Sequence, residues 1–220
     1  MKKYSVILAA VVLLFGCKSA NKSQKGAAIG AAGGAAVGAI VAKNSVVGAL
    51  LGAAIGGTAG YFIGKSMDKQ AKELKQAVPN AEVERVGEGI NLTFNSGLLF
   101  KINSAELSDA AKEDITRVAE VLKKYGDTKI LLEGHTDDTG ADDYNMTLSK
   151  KRAQSVASFM QSRGVSKSRI TEKWYGETQP KFPNDSEANR EKNRRVEIGI
   201  SADENMKQQA QNGELKDSQK

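Results

Sequence analysis

Glycine recurs at every fourth position through residues 26–64, at Gly26, Gly30, Gly34 and Gly38 and again at Gly48, Gly52, Gly56, Gly60 and Gly64. The rest of that stretch is almost wholly Ala, Val, Ile and Leu. In water it makes a poor helix, because each glycine costs about 1 kcal/mol relative to alanine. In apolar surroundings a row of small residues lets two helix backbones approach closely. Lys43, Asn44 and Ser45 interrupt the run and predict the turn of a helical hairpin with arms at 26–42 and 46–64. Arms of that length sit at the short end of what crosses roughly 30 Å of hydrocarbon. The expectation is a glycine-zipper, membrane-associated hairpin, also suited to self-association into a homo-oligomer. A flexible spacer, or a hairpin packed only on itself, is the competing reading.

The residues before the zipper read as a targeting segment. Lys2 and Lys3 precede an apolar run at 6–15, too short to span a bilayer with normal flanks. It ends in Leu14-Phe15-Gly16-Cys17, which resembles a bacterial lipobox, so residues 1–16 are expected to be a lipoprotein signal peptide and Cys17 the lipidated residue of a polar tether at 17–25. Several acyl chains on one cysteine anchor firmly, since each buried methylene contributes roughly 0.8 kcal/mol. Cys17 is the chain's single cysteine, which excludes an internal disulfide or a multi-cysteine metal site. Residue 18 is Lys rather than Asp, so the common inner-membrane retention signal is absent and the outer membrane, facing the periplasm, is expected. The formal charge of +6 falls to +4 once Lys2 and Lys3 are removed, and the remaining charges of both signs are interleaved with few aromatics, which disfavours nucleic acid.

Residues 65–80 predict a linker helix with Met67, Ala71, Leu74 and Val78 along one side, ended by Pro79. The globular domain is expected at 81–201, and residues 202–220, polar and nearly free of large apolar side chains, are expected to be disordered. Within the domain, 82–86 and 90–94 flank Gly87-Glu88-Gly89 and predict a hairpin. Ser108 can cap a helix reaching Tyr125, striped with Ile115, Val118, Ala119 and Leu122. Residues 129–133 read as a strand buried on both faces, 142–163 as a helix closed by Gly164, and 169–175 and 195–200 as further strands. Alternating strands and helices predict an α/β sandwich, a mixed sheet with helices packed on one side.

Residues 133–153 carry the chemistry. Ligand sites in open α/β sheets gather past the carboxyl ends of strands, so the turn 135–140 should expose Asp137 and Asp138 beside the sheet. Asn145, Leu148 and Arg152 share one face of the following helix. A held guanidinium takes a carboxylate bidentately and a nearby aspartate suits an ammonium, so the pair can receive the free end of an amino acid. Equally, Asp137 and Arg152 can simply pair with each other. The residues alone leave both readings open.

Asn103-Ser104-Ala105-Glu106-Leu107, Glu133-Gly134-His135-Thr136-Asp137, Tyr144-Asn145, Leu148-Ser149, Arg152-Ala153 and Asn193-Arg194-Arg195-Val196-Glu197-Ile198 together resemble the OmpA C-terminal-like domain over roughly 89–200. The layout of lipobox, zipper and domain resembles the YiaD-type envelope lipoproteins. The resemblance implies peptidoglycan as partner, with Asp137 and Arg152 gripping diaminopimelate. It implies that Asn103, Arg194 and Arg195 line or support the pocket, and that Asn145 either braces the turn or touches the ligand. The function implied is tethering of the outer membrane to the wall, with a zipper-driven pore or structural assembly as the alternative. A stator of the MotB kind is disfavoured because neither apolar arm carries an aspartate. No catalysis, metal or cofactor is expected: His135, the one histidine, lies two residues from Asp137 on a sharp turn, a poor triad geometry, and a nucleophile elbow is missing. His135 is expected to close the turn.

Overall fold

The computed structural model describes residues 55, 57–101 and 103–215. Its elements, in chain order, are α1 (Gly57–Ala77), β1 (Glu82–Val86), β2 (Gly89–Asn95), α2 (Ser96–Leu99), α3 (Asp109–Lys124), β3 (Thr128–Gly134), α4 (Asp142–Ser162), β4 (Ile170–Trp174), α5 (Glu187–Asn193), β5 (Arg195–Ala202) and α6 (Glu204–Gln211). The strands form one sheet in the order β1-β2-β5-β3-β4. β3 and β4 run parallel, joined by α4, while the other neighbours are antiparallel. This is the mixed sheet expected from the alternation of elements.

Period-two alternation separates the two faces of the sheet. Ile90, Leu92 and Phe94 of β2, Val196, Ile198 and Ile200 of β5, and Ile130 and Leu132 of β3 point into the apolar core. α1, α3 and α4 close that core from one side. α3 begins where the Ser108 side chain accepts from Ala111 N, and its stripe of Ile115, Val118, Ala119 and Leu122 is fully buried. The opposite face carries Asn91, Arg195, Glu197 and Glu133, polar residues that are nonetheless buried.

Two boundaries differ from the sequence expectation. The helix expected as a linker at 65–80 begins at Gly57, inside the glycine row, and buries Ile63, Met67, Ala71 and Leu74 against β1, β2, α3 and α6. A stripe of four large or medium apolar side chains is worth several kcal/mol when covered, so the domain starts at residue 57 rather than 81. The tail expected to be disordered also orders in part. Asp203 caps α6 by accepting from Met206 N at 2.8 Å, and Met206 and Ala210 bury themselves beside α1. One methionine and one alanine on the same helix face are sparse by composition, but a capped helix with a ready apolar neighbour needs little more. The rest of the zipper hairpin, Cys17 and the signal segment lie outside the described residues, among which no helix is long and apolar enough to cross a membrane.

Candidate functional site

β3 ends at Gly134, and only glycine fits there: a Cβ would stand 2.2 Å from the Ser149 carbonyl oxygen of α4. That close approach brings the turn after β3 down onto the first turns of α4. Gly176, at φ +52°, repeats the constraint from the β4 side, where a Cβ would meet Met146 N at 3.1 Å. The turn is then fixed by backbone bonds, His135 N to Arg195 O (3.0 Å) and Thr136 N to Gly176 O (2.9 Å). Asp137 Oδ1 accepts from Thr139 N at 3.0 Å, a side-chain turn typical of aspartate.

Beside this turn lies a cavity of about 490 Å³, walled by α2, Phe100, Lys101 and Asn103, the 136–139 turn, α4, Glu187 and Arg194. Of the residues singled out in the sequence, Asn103, Asp137, Asn145, Arg152 and Arg194 line it. Arg195 does not. Its guanidinium is wholly buried on the polar face of the sheet, paired with Glu197 (Nε–Oε1 2.5 Å) and donating to the carbonyls of Asn193 and Gln179 (3.2 Å each). Strand alternation turns Arg195 away from the cavity that Arg194 enters.

Asp137 and Arg152 do not pair. Asp137 is buried, not exposed as the turn suggested, and its Oδ2 accepts from Arg194 Nη1 at 2.5 Å. Arg194 in turn donates Nη2 to Glu187 Oε1 at 2.6 Å. Partial burial opposes the charge on Arg194, but these two acidic partners outweigh it and hold its pKa above the ordinary arginine value. Arg152 is 6 % exposed, its Nε donates to Ser104 O at 3.1 Å, and its guanidinium carbon lies 5.2 Å from the centre of the Phe100 ring. Loss of water lowers its pKa from the usual value, yet an arginine remains charged. No carboxylate among the described residues bonds to it. Two hydroxyls in the same wall, Ser96 Oγ and Thr136 Oγ1, are likewise buried without a hydrogen-bond partner among the described residues.

Asn145 braces. Its Nδ2 reaches Asp137 O (3.3 Å), Thr139 O (3.1 Å) and Glu177 Oε2 (2.7 Å). Asn103 sits at φ +52°, a left-handed conformation that asparagine tolerates better than most residues. His135 is fully buried behind the turn, stacked on Tyr175 with ring centres 5.4 Å apart, and does not line the cavity. Burial, and then the nearby Arg195 charge, press its pKa well below the usual histidine value. A neutral imidazole out of reach of any ligand is a packing residue.

Residues 99–194 match the profile of the OmpA family, and residues 1–68 that of the YMGG-like Gly-zipper. The peptidoglycan-associated lipoprotein of Buchnera aphidicola is 31% identical over 132 residues, covering 60% of this chain and 76% of that protein. The chain belongs to the OmpA family. Another relative, the probable lipoprotein YiaD of Escherichia coli K12, is 38% identical over 141 residues, 63% of this chain and 64% of that relative, so the match spans just under two thirds of it. Among solved structures of similar fold, the cell wall anchor of the type VI secretion system (T6SS) from Pseudomonas aeruginosa aligns with a TM-score of 0.55 at 28% identity, covering 62% of this chain and 97% of that one.

Sequence reasoning missed Phe100 under Arg152, Ser96 in the cavity wall and Glu187 behind Arg194, and it quoted Ser104 without foreseeing that its carbonyl holds Arg152. Phe100 lies three residues before the Asn103 motif and could have been found by widening it. Glu187 opens α5, one helix ahead of the Asn193 motif, and carries no local signal.

Proposed function

We propose that this chain is a non-catalytic cell-envelope protein that holds peptidoglycan, taking the diamino-acid side chain of the wall, most simply diaminopimelate, in the cavity beside Asp137. The observation that carries this reading is Arg152. A buried guanidinium without a carboxylate is costly, and here it is oriented by Ser104 O and Phe100 at the wall of an open cavity. A ligand carboxylate would supply the missing charge and accept two parallel bonds from the free end of the fork. The ammonium of the same amino acid would face the Asp137 carboxylate, which Arg194 holds in place. The unpartnered hydroxyls of Ser96 and Thr136 suit the remaining polar atoms. Peptidoglycan-binding relatives, and the lipobox-like run ending at Cys17, support a tether between the outer membrane and the wall, with the lipid on Cys17 and the zipper on the membrane side.

The test is co-sedimentation with purified sacculi, using residues 57–215 rather than 81–201 because α1 and α6 belong to the core. The wild-type fragment should be retained, and Asp137→Ala and Arg152→Ala should each lose retention at least tenfold. Retention that survives both substitutions overturns the pocket, and release of soluble wall fragments by the wild type would overturn the non-catalytic reading.

A further inference from the structure

A second cavity, of about 310 Å³, opens on the polar face of the sheet where β1 and β2 meet the 181–192 segment. It is built as firmly as the first. Asn193, fully buried, clamps the segment: its Oδ1 accepts from the backbone N of Lys181 and of Phe182 (2.9 Å each), and its Nδ2 donates to Phe182 O (2.7 Å) and Asn184 Oδ1 (2.6 Å). The two cavities also share their framework. Asn95 lines the second and Ser96, the next residue, lines the first, while the segment that supplies Lys181, Phe182 and Lys192 to one supplies Glu187 and Arg194 to the other. Consecutive Cα atoms stand about 3.8 Å apart, so neighbouring residues of the same two segments wall both cavities.

The second cavity is also lined by the acidic Glu82, and its two lysines are committed unequally. Lys181 is paired with Glu82 at 3.3 Å. Lys192 lies over the Phe182 ring, 5.0 Å from its centre, with no acidic partner among the described residues. The side chains of Thr93 and Asn95 face the same space and make no hydrogen bond to a described residue. One uncompensated ammonium beside an amide and a hydroxyl is a site for an anion with two acceptor oxygens, and charge-assisted bonds of this kind are the strong ones. We propose that this cavity is a second subsite for the wall polymer, in which Lys192, with Asn95 and Thr93 alongside, takes a free carboxylate of the stem peptide whose diamino acid occupies the first cavity. The inference rests on the peptidoglycan reading for its ligand but on different residues for its geometry.

Calorimetric titration of the full-length chain in detergent tests it, with two probes: free diaminopimelate, and a soluble muropeptide carrying disaccharide and stem peptide. Lys192→Gln should weaken muropeptide binding on the order of tenfold, leave diaminopimelate binding unchanged, and be rescued by Lys192→Arg. A muropeptide amidated on its stem-peptide carboxylates outside the diamino acid should bind the wild type as weakly as Lys192→Gln binds the unmodified one. Full muropeptide affinity in Lys192→Gln, or a parallel loss for both probes, overturns the second subsite. Wild-type binding of muropeptide but not of diaminopimelate, still weakened by Lys192→Gln, overturns the first-cavity reading alone. A wild type that takes neither probe overturns both.

Discussion

Two buried arginines stand on opposite sides of the turn after β3, and they are treated differently. Arg195 spends every nitrogen inside the protein, on Glu197 and on two backbone carbonyls, in a cluster completed by Asn91 (Nδ2 to Glu197 Oε2, 3.2 Å), Glu133, His135 and Tyr175. Arg152 spends one nitrogen on a carbonyl, rests on an aromatic ring, and presents the remainder to a cavity. Side chains of the same type with similar burial therefore do different work. One is part of what holds the sheet to its loops. The other carries a charge that the protein orients without a bonded carboxylate, as the proposed ligand site requires.

Matched substitutions should break or sharpen that contrast. The largest effect is expected for Arg195→Met, which leaves Glu197 buried without its cation. Chemical denaturation should show a loss of about 3–5 kcal/mol. Arg152→Met, by comparison, removes a buried cation to which no described carboxylate bonds, and stability should hold or rise by about 1 kcal/mol while sacculus retention is lost. If the two losses of stability are equal, the distinction between the sites fails.

The same cluster predicts a pH effect of intermediate size. His135 is the chain's one histidine, and burial lowers its folded pKa well below that of the unfolded chain, near 6.5. Below that pH the unfolded state gains a proton that the folded state refuses. Stability is thus fully present above about 6.5 and falls as pH drops, with a limiting slope of about 1.4 kcal/mol per pH unit. Thermal melts between pH 7 and 5 should show the decline, and His135→Gln should flatten it. An unchanged slope in the variant would assign the acid sensitivity to carboxylates instead. Glu133 faces this histidine with Oε2 3.7 Å from Nε2, and it also meets the Tyr175 hydroxyl, whose pKa burial and Glu133 push up to about 12.

Much of this was legible in the sequence because the information was local. The mixed sheet followed from the alternation of apolar runs, the stripe of α3 from its helical spacing, and the turn with Asp137 from a polar stretch at a strand end. What escaped notice was long-range or depended on side-chain direction. Asp137 and Arg194 are 57 positions apart, so nothing near either residue says that they bond. Arg194 and Arg195 look alike as a pair, and only the strand beginning at Arg195 sends the second to the other face. α6 was hidden because its two buried side chains matter only once α1 lies beside them. α1 is expected from the sequence as a linker helix at 65–80, because the glycine row that precedes its apolar stripe points to lipid, while the stripe fits a protein core equally well.

That docking of α1 has a mechanical meaning. A helix that merely linked a membrane segment to a domain would act as slack, and a pull from upstream would straighten it before reaching anything folded. Here Ile63, Met67 and Leu74 are seated at zero exposure, and Glu88 at the β1–β2 turn accepts from the backbone N of Ile55 at 3.0 Å. Any pull applied upstream of residue 57 would therefore meet the buried side chains of α1 before it reached the cavity.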